Sequence, residues 1–269
     1  MPTPLEILMD PISLWVLALY ATLILWEALA PARSLPRVSG WLPRALASFV
    51  VYFYLSSYLP LIWDGYLAQY QWFDLAHLGT LAGAAIGLLV YEGLVYLWHR
   101  AMHESDLLFR SFHQMHHSAE RLDSFGAFYF SPLDMIGFTF VGSLSLSLIV
   151  GLSPQAATVF LFATMFMGIF QHCNVKTPHW LGYVIQRPES HTVHHGKGVH
   201  YYNFSDLPLF DLLFGTFRNP RAYELETGFY HGASARVGDM LRCRDASTAP
   251  ASSRDHPGAD ADATALSHP

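Results

Sequence analysis

The stretch TLAGAAIGLLVYEGLVYLWHRAMH, residues 80–103, joins a run of apolar residues to a pair of histidines. A helix needs about 20 largely apolar residues to cross a bilayer, so residues 80–98 are predicted to span a membrane. His99 and His103 lie on one face of such a helix because they are four residues apart. The stretch therefore predicts a transmembrane helix with two imidazoles at its carboxyl end.

Further apolar segments of similar length accompany this one. They cover residues 12–30, 45–63, 133–151 and 155–172. The chain of 269 residues is 52% hydrophobic and only 13% charged, whereas about a quarter of the residues are charged in an average soluble domain. We expect an all-α, multi-pass integral membrane helical bundle in which four to five apolar segments cross, because residues 133–172 can either cross fully or only dip into the bilayer.

The basic residues divide the chain into two sides. All fifteen Lys and Arg lie within residues 33–44, within residues 100–121, or from Lys176 onward. Cytosolic loops of membrane proteins carry an excess of these residues, and the loop 64–79 has none. We therefore expect the histidines to lie on the cytosolic face of a bacterial inner membrane or of the endoplasmic reticulum.

The chain is predicted to consist of three parts. Residues 1–79 hold the amino-terminal transmembrane segments, and residues 80–244 form the unit that carries the histidine motifs. Within that unit, residues 176–244 are polar, aromatic and broken by turns, which is typical of a folded cytosolic cap, here helical and histidine-rich. Residues 245–269 contain no aromatic residue and are rich in Ala, Asp, Ser and Pro, so we expect a disordered tail.

Eight histidines fall in three short motifs at the predicted cytosolic face. The motifs are HRAMH (99–103), HQMHH (113–117) and HTVHH (191–195), and His172 adds a further ring at the end of the last apolar segment. Converging neutral imidazoles are the commonest ligands for transition metals. A tetrahedral zinc site uses four ligands, so eight or nine histidines predict two metal ions.

Glu92 is an acidic residue inside an apolar segment. It lies seven residues before His99 and shares one helical face with Tyr96, His99 and His103. Carboxylates inside membrane segments are usually functional and face the protein interior. Glu92 either hydrogen-bonds a metal-bound histidine and fixes its tautomer, or it is a structural acid that bonds to another helix.

The order and spacing of the motifs resemble those of the fatty acid hydroxylase/sterol desaturase superfamily of integral-membrane, non-haem di-iron enzymes. The matching elements are HRAMH, HQMHH and HTVHH, the residues Glu92, Tyr96, His99 and Arg100, QHCN at 171–174, and NFSDLPLFDLLFGTF at 203–217. Many relatives have a histidine before a proline where this chain has Ser131 and Pro132. Relatives often have arginine where Leu212 follows Asp211. Both departures leave the subfamily, and with it the substrate, open.

The resemblance implies a set of metal ligands and two catalytic residues. The ligands are His99, His103, His113, His116, His117, His191, His194 and His195, with His172 as a ninth and His200 as a tenth. Glu92 and Asn174 are implied to take part in catalysis. The implied cofactor is a pair of iron ions, or zinc in a purified form of the protein.

The implied reaction is O2-dependent hydroxylation or desaturation of a lipid C–H bond. Sterols or hopanoids, fatty acyl lipids, aminolipids and carotenoids are all open as substrates. The chain has no GxGxxG fingerprint, no CxxCH motif and no cysteine set for an iron–sulfur cluster. We therefore expect a separate electron donor, such as a ferredoxin, a cytochrome or a flavoprotein reductase.

The charges of the chain bear on its macromolecular partners. A formal net charge of −6 and the lack of a long Lys/Arg run argue against nucleic acid. The basic residues of the cap either dock the electron donor or are ordinary positive-inside residues. The candidates for the dock are Lys176, Arg187, Lys197, Arg218 and Arg221.

Three other functions would use a histidine-rich membrane protein. A divalent-metal transporter places its ligands near the bilayer midplane, whereas these histidines are predicted at one edge. A membrane zinc hydrolase needs fewer histidines, an open zinc position and a nearby general base. A metal-stabilised scaffold without catalysis fits the same residues. A purely structural role suits isolated histidines such as His77, His179 and His231, but packed imidazoles without a ligand are costly to bury.

Overall fold

Helices make up nearly all the regular structure in residues 1–199, 201–223 and 226–250, which the computed structural model describes. In chain order the elements are α1 (Pro4–Met9), α2 (Pro11–Leu29), α3 (Trp41–Leu67), β1 (Phe73–Asp74), α4 (Thr80–Glu104), α5 (Asp106–Leu108), α6 (Gln114–His117), α7 (Pro132–Ser143), β2 (Val150–Gly151), α8 (Pro154–Phe170), α9 (Pro188–His194), α10 (Pro208–Phe214) and α11 (Val237–Met240). Short 3-10 turns connect several of them, and π-helical turns cover Phe109–His113 and Leu144–Ile149.

Four helical stretches within these residues are long and apolar enough to cross a membrane. They are Pro11–Leu29, Trp41–Tyr70, Thr80–Glu104 and Pro132–Ile149. The fifth apolar helix, α8, has 17 residues and is shorter than the others. The predicted all-α, multi-pass membrane bundle is therefore confirmed, and each predicted apolar segment is one of its helices.

Proline and a polar cap begin three of the membrane helices. The side chains of Asp10, Ser131 and Ser153 each accept a hydrogen bond from a backbone N–H in the first turn of α2, α7 and α8, respectively. A proline follows each cap, at the position where a helix has no acceptor for a backbone N–H. Only residues 150–153 separate the π-helical turn Leu144–Ile149, which follows α7, from the start of α8. The turn between the two helical stretches is therefore short.

The two connections predicted on the outer side of the membrane meet in the structure. β1 belongs to the loop 64–79 and pairs in parallel with β2 between α7 and α8, with Phe73 opposite Val150. α4 begins near this pair of strands and runs to the opposite end of the bundle, where it carries His99 and His103. Both connections therefore lie at the end away from the histidines, in agreement with the distribution of basic residues.

α3 packs on α7, and α4 packs on α8. A glycine brings the second pair close, since a Cβ at Gly83 would lie only 3.1 Å from the Cβ of Ala156. Small residues at helix contacts commonly allow this approach in membranes. The outer faces expose large apolar side chains, including Trp15, Leu61 and Leu97, as expected of surfaces that contact lipid.

The helical, histidine-rich cap is confirmed, but its helices are short. HTVHH lies on α9, whereas HQMHH is divided, with His113 at the end of a π-helical turn and the rest on α6. The predicted disordered tail is wrong in its first part, because Ala246 is fully buried and its N–H donates to Gln114 Oε1 over 3.1 Å. Residues 251–269 of that tail lie outside the described residues.

Candidate metal centre

The nitrogens of nine histidines converge into two groups at the end of the bundle where α4 meets the cap. The five-histidine group consists of His99, His103, His113, His117 and His194. The four-histidine group consists of His116, His172, His191 and His195. Within each group, one nitrogen of every ring lies within 4.8 Å of one nitrogen of every other. Two compact sets of ligand atoms are what a pair of metal ions requires.

The nearest ring nitrogens have the separation of ligands on one ion. The Nε2 atoms of His99 and His113 are 2.8 Å apart. In the four-histidine group, the Nε2 atoms lie 3.1 Å apart for His116 and His172, and 3.0 Å apart for His172 and His191. Ligands at about 2.1 Å from an ion, at right-angled or tetrahedral positions, are about 3.0–3.4 Å apart. The residues therefore fit a metal in each group.

Each HxxHH motif contributes to both groups. His113 and His117 belong to the five-histidine group, but His116 of the same motif belongs to the other. In the second motif, His191 and His195 belong to the four-histidine group, and His194 crosses to the first. Because residues three and four apart share one face of a helix, the sequence of each motif predicts one cluster of histidines on one face. This is wrong because the ring at the fourth position of each motif reaches across to the opposing helix.

Hydrogen bonds on the outer side of the rings leave Nε2 free to bind metal. Carbonyl oxygens lie 2.7 Å from Nδ1 in three rings: Phe204 O from His99, Tyr202 O from His194, and Gly168 O from His172. A carbonyl only accepts, so Nδ1 carries the proton and Nε2 carries the lone pair. The Nε2 atom of His194 is buried and has no hydrogen-bond partner among the described residues, which fits an atom that binds a metal.

Asp134 is a site residue that the sequence analysis missed. Its Oδ2 lies 2.7 Å from Nδ1 of His113, and both side chains are almost fully buried. A carboxylate that accepts from a ligating histidine orients the ring and raises its basicity. The available signal was an acidic residue in the first turn of an apolar segment, three residues after the Ser131 cap.

Most imidazoles of the two HxxHH motifs are held in their neutral form. Burial lowers the pKa well below its usual value for His113, His116, His117, His191 and His194, and the neighbouring imidazoles lower it further. Burial also lowers the pKa of His172, to about 4. Rings without a proton on the inner nitrogen can bind a cation at neutral pH.

Glu92 is hydrogen-bonded to the segment of the cap just before α10. Its Oε2 accepts hydrogen bonds from Ser205 Oγ at 2.8 Å, from Asp206 N at 2.8 Å and from Leu207 N at 3.2 Å. It therefore binds a segment of the cap instead of a histidine. The carbonyl that holds His99 belongs to Phe204, the residue just before this segment, so Glu92 acts on the metal groups only indirectly.

Asn174, for which the resemblance implies a catalytic role, is hydrogen-bonded to the backbone of Arg33. Its Nδ2 donates to Arg33 O over 2.6 Å, and its Oδ1 accepts from Arg33 N over 3.2 Å. These bonds tie the end of α8 to the connection between α2 and α3. The remaining predicted ligand, His200, lies outside the described residues.

A cavity of about 80 Å³ lies against both histidine groups. His99 and His113 line it from one group, and His116, His172 and His191 line it from the other. Its other walls are mainly aromatic and aliphatic side chains from α3, α4, α7 and α8: Tyr52, Tyr91, Val95, Phe138, Thr164 and Met165. The space therefore connects the candidate metal centre with the interior of the membrane bundle.

Comparison with known proteins identifies the family. Residues 84–216 match the profile of the fatty acid hydroxylase family, and this range contains all nine converging histidines. The chain belongs to the fatty acid hydroxylase superfamily. The hydroxylase domain thus includes most of α4, the helices that carry both HxxHH motifs, and α10.

Curated relatives within this superfamily have several names. An ornithine lipid hydroxylase of Rhizobium tropici is 34% identical over 142 residues, which are 50% of this chain and 41% of that protein. Sphinganine C4-monooxygenase 1 of Arabidopsis thaliana is 27% identical over 153 residues, or 55% of this chain and 58% of that one. A very-long-chain aldehyde decarbonylase of Oryza sativa subsp. japonica is 28% identical over 139 residues, which are 49% of this chain and 52% of that protein. The chain thus spans about half the length of these relatives, and no solved structure matches it significantly.

Proposed function

We propose that the protein is a membrane-bound, O2-dependent lipid hydroxylase that binds one iron ion in each histidine group. The cavity is the observation that supports this best, because two sets of imidazoles and a mainly apolar wall meet there in one space. Imidazole suits iron, and nine rings are more than a zinc site of four ligands uses. Two relatives are named for hydroxylation of a lipid, which favours hydroxylation over desaturation.

The chain prepares the site in which the metals act. The bound iron pair would supply activation of O2, which an unactivated C–H bond requires because acids and bases do not attack it. Asp134 and the carbonyl of Phe204 hold the rings of His113 and His99 in fixed orientations. Phe130 and Phe138 line the cavity beside them and exclude water, which limits side reactions.

We further propose that the histidine end faces the cytosol and receives electrons from a separate protein. Four of the predicted docking residues are exposed: Lys176, Lys197, Arg218 and Arg221. Arg187 is wrong as a docking residue because it is fully buried, lies 3.3 Å from Glu189 and donates to Thr177 O. An acidic electron donor could therefore meet four of the five predicted docking residues.

Metal analysis together with lipid mass spectrometry tests the proposed function. Purified protein should hold two iron ions per chain and consume O2 when a reductant is added. Cells that express it should accumulate a lipid heavier by one oxygen atom. Zinc in place of iron, with neither O2 consumption nor an oxidised lipid, would instead indicate a zinc hydrolase or a scaffold.

The variant His194→Ala tests the site itself. It removes the buried Nε2 atom of the five-histidine group and should abolish both iron binding in that group and lipid oxidation, while membrane insertion stays intact. His179→Ala is the control, because that ring bonds Asn219 O outside both groups. Full activity of the His194→Ala protein would refute the assignment.

A further inference from the structure

The cavity beside the metal centre contains hydrogen-bonding groups that the protein leaves unused. Tyr52 of α3, Tyr91 of α4 and Asp206 of the cap line it together with the histidines. Neither tyrosine hydroxyl has a hydrogen-bond partner among the described residues. Among the same residues, the Asp206 carboxylate accepts one hydrogen bond, from Gln171 Nε2 over 2.7 Å. Polar groups facing a cavity with mainly apolar walls are normally paired, since leaving them unpaired costs free energy.

Asp206 is held in place from three directions. Its backbone N–H donates to Glu92 Oε2, and its carbonyl accepts from Gln186 N over 2.7 Å. The amide of Gln171 fixes the carboxylate itself. Burial raises the pKa of Asp206 to about 6, so the group still carries its charge at slightly alkaline pH. A carboxylate that is fixed before a ligand arrives loses little entropy when it binds one.

We infer that Asp206, assisted by Tyr52 and Tyr91, binds a hydroxyl or amino group of the substrate. An ionised carboxylate only accepts hydrogen bonds, so it selects a group that donates one. A lipid that carries such a donor replaces the missing partner, whereas an otherwise equal lipid without a donor leaves the carboxylate unpaired. This inference rests on the proposed lipid hydroxylase function and names the class of lipid.

The size of the cavity places the donor group close to the oxidised carbon. Its volume is about 80 Å³, whereas pockets for whole drug-sized ligands have about 300–1,000 Å³. The histidines and Asp206 line the same small space. A donor bound to Asp206 therefore lies only a few bonds from the carbon that faces the metals, and oxidation occurs near the polar end of the lipid.

A binding assay with matched lipids tests this inference. The probes are 1-hexadecanol and hexadecylamine, which carry a donor, and 1-methoxyhexadecane, which does not. Binding to the full chain in nanodiscs is measured without O2 or reductant, so the result is independent of whether the protein oxidises lipids. A hydrogen bond to a charged group corresponds to about a tenfold or greater preference for a donor probe. Equal binding of all three probes to the wild-type protein would overturn the inference.

Variants assign the preference to named residues. Asp206→Asn should reduce it to about twofold or less, because the amide is uncharged. Asp106→Asn is the matched control, since that side chain is 95% exposed, and it should keep the preference. Tyr52→Phe and Tyr91→Phe each remove a hydroxyl that has no hydrogen-bond partner among the described residues. If the Asp206→Asn protein does not fold, a lower preference for the donor probes in these two variants tests the subsite instead. A preference that survives all three substitutions in the cavity would contradict the proposed subsite.

Discussion

At the scale of single residues, the partner of each outer ring nitrogen determines which nitrogen is available to a metal. Backbone carbonyls serve His99, His172 and His194. His113 differs because its partner is the carboxylate of Asp134, which adds a negative charge beside the five-histidine group. The other oxygen of this carboxylate, Oδ1, is buried without a hydrogen-bond partner among the described residues, so His113 is the one side chain there that bonds this carboxylate.

Asp134→Asn should weaken metal binding in the five-histidine group. Loss of the carboxylate behind a ligating histidine typically costs about 10–100-fold in metal affinity. Competition with a chelator, followed separately for the two ions, is the measurement. The four-histidine group should keep its affinity because it has no contact with Asp134. Equal weakening in both groups would mean that the substitution disturbs the fold instead.

At the scale of elements, a short segment of the cap holds the ends of both HxxHH helices. Thr227 Oγ1 donates to Glu120 O, three residues beyond α6, and Thr227 pairs with Gly196 just after α9. Gly228 follows with φ of +84°, and a Cβ there would lie 2.9 Å from Ala119 O and from Glu120 Cα. The relative position of the two motifs, and hence of the two metal groups, depends on this close contact between backbones.

Gly228→Ala should therefore destabilise the cap by about 2 kcal/mol or more, since it adds a steric clash to a strained backbone conformation. Gly232→Ala is the matched control. Gly232 has a similar φ of +93° but open space around it, so only the conformational cost of about 1 kcal/mol remains. Thermal unfolding in detergent, together with metal content, compares the two. Equal effects would show that the contact with Ala119 and Glu120 contributes nothing.

At the scale of the whole molecule, the two ends of the bundle differ in chemistry. One end holds the paired strands β1 and β2, and the other holds the histidines, the basic residues and the cap. Two native cysteines report on the second end. Cys243 is exposed in the cap, and Cys173 is buried. Burial also raises the pKa of the Cys173 thiol to about 12, which leaves almost none of the reactive thiolate.

A maleimide that cannot cross membranes should therefore label Cys243 only after lysis of spheroplasts that express the protein, because we propose a cytosolic cap. Cys243→Ser is the control and should abolish the labelling in lysed cells. Labelling of intact spheroplasts at Cys243 would place the cap, and with it the candidate metal centre, on the opposite side.

Local patterns along the chain were sufficient to predict the helices and the histidines that converge in the candidate metal centre. A span such as α4 follows from the number of consecutive apolar residues, because lipid forces every backbone group to pair within the helix. Histidine motifs are visible for a similar reason, since spacings of three and four residues repeat with the helical turn. The nine converging rings were therefore all among the predicted ligands, and His172 was among them despite lying outside the motifs.

The division of those rings into five and four depends on how separate helices pack. The side of a helix on which His116 or His194 lies is a local property, but the ring that it meets belongs to a helix far away in the chain. The same holds for Asp134 beside His113, for Glu92 on residues 205–207, and for Asp206 in the cavity. These hydrogen bonds join residues up to 115 positions apart, and no local periodicity encodes such a pairing.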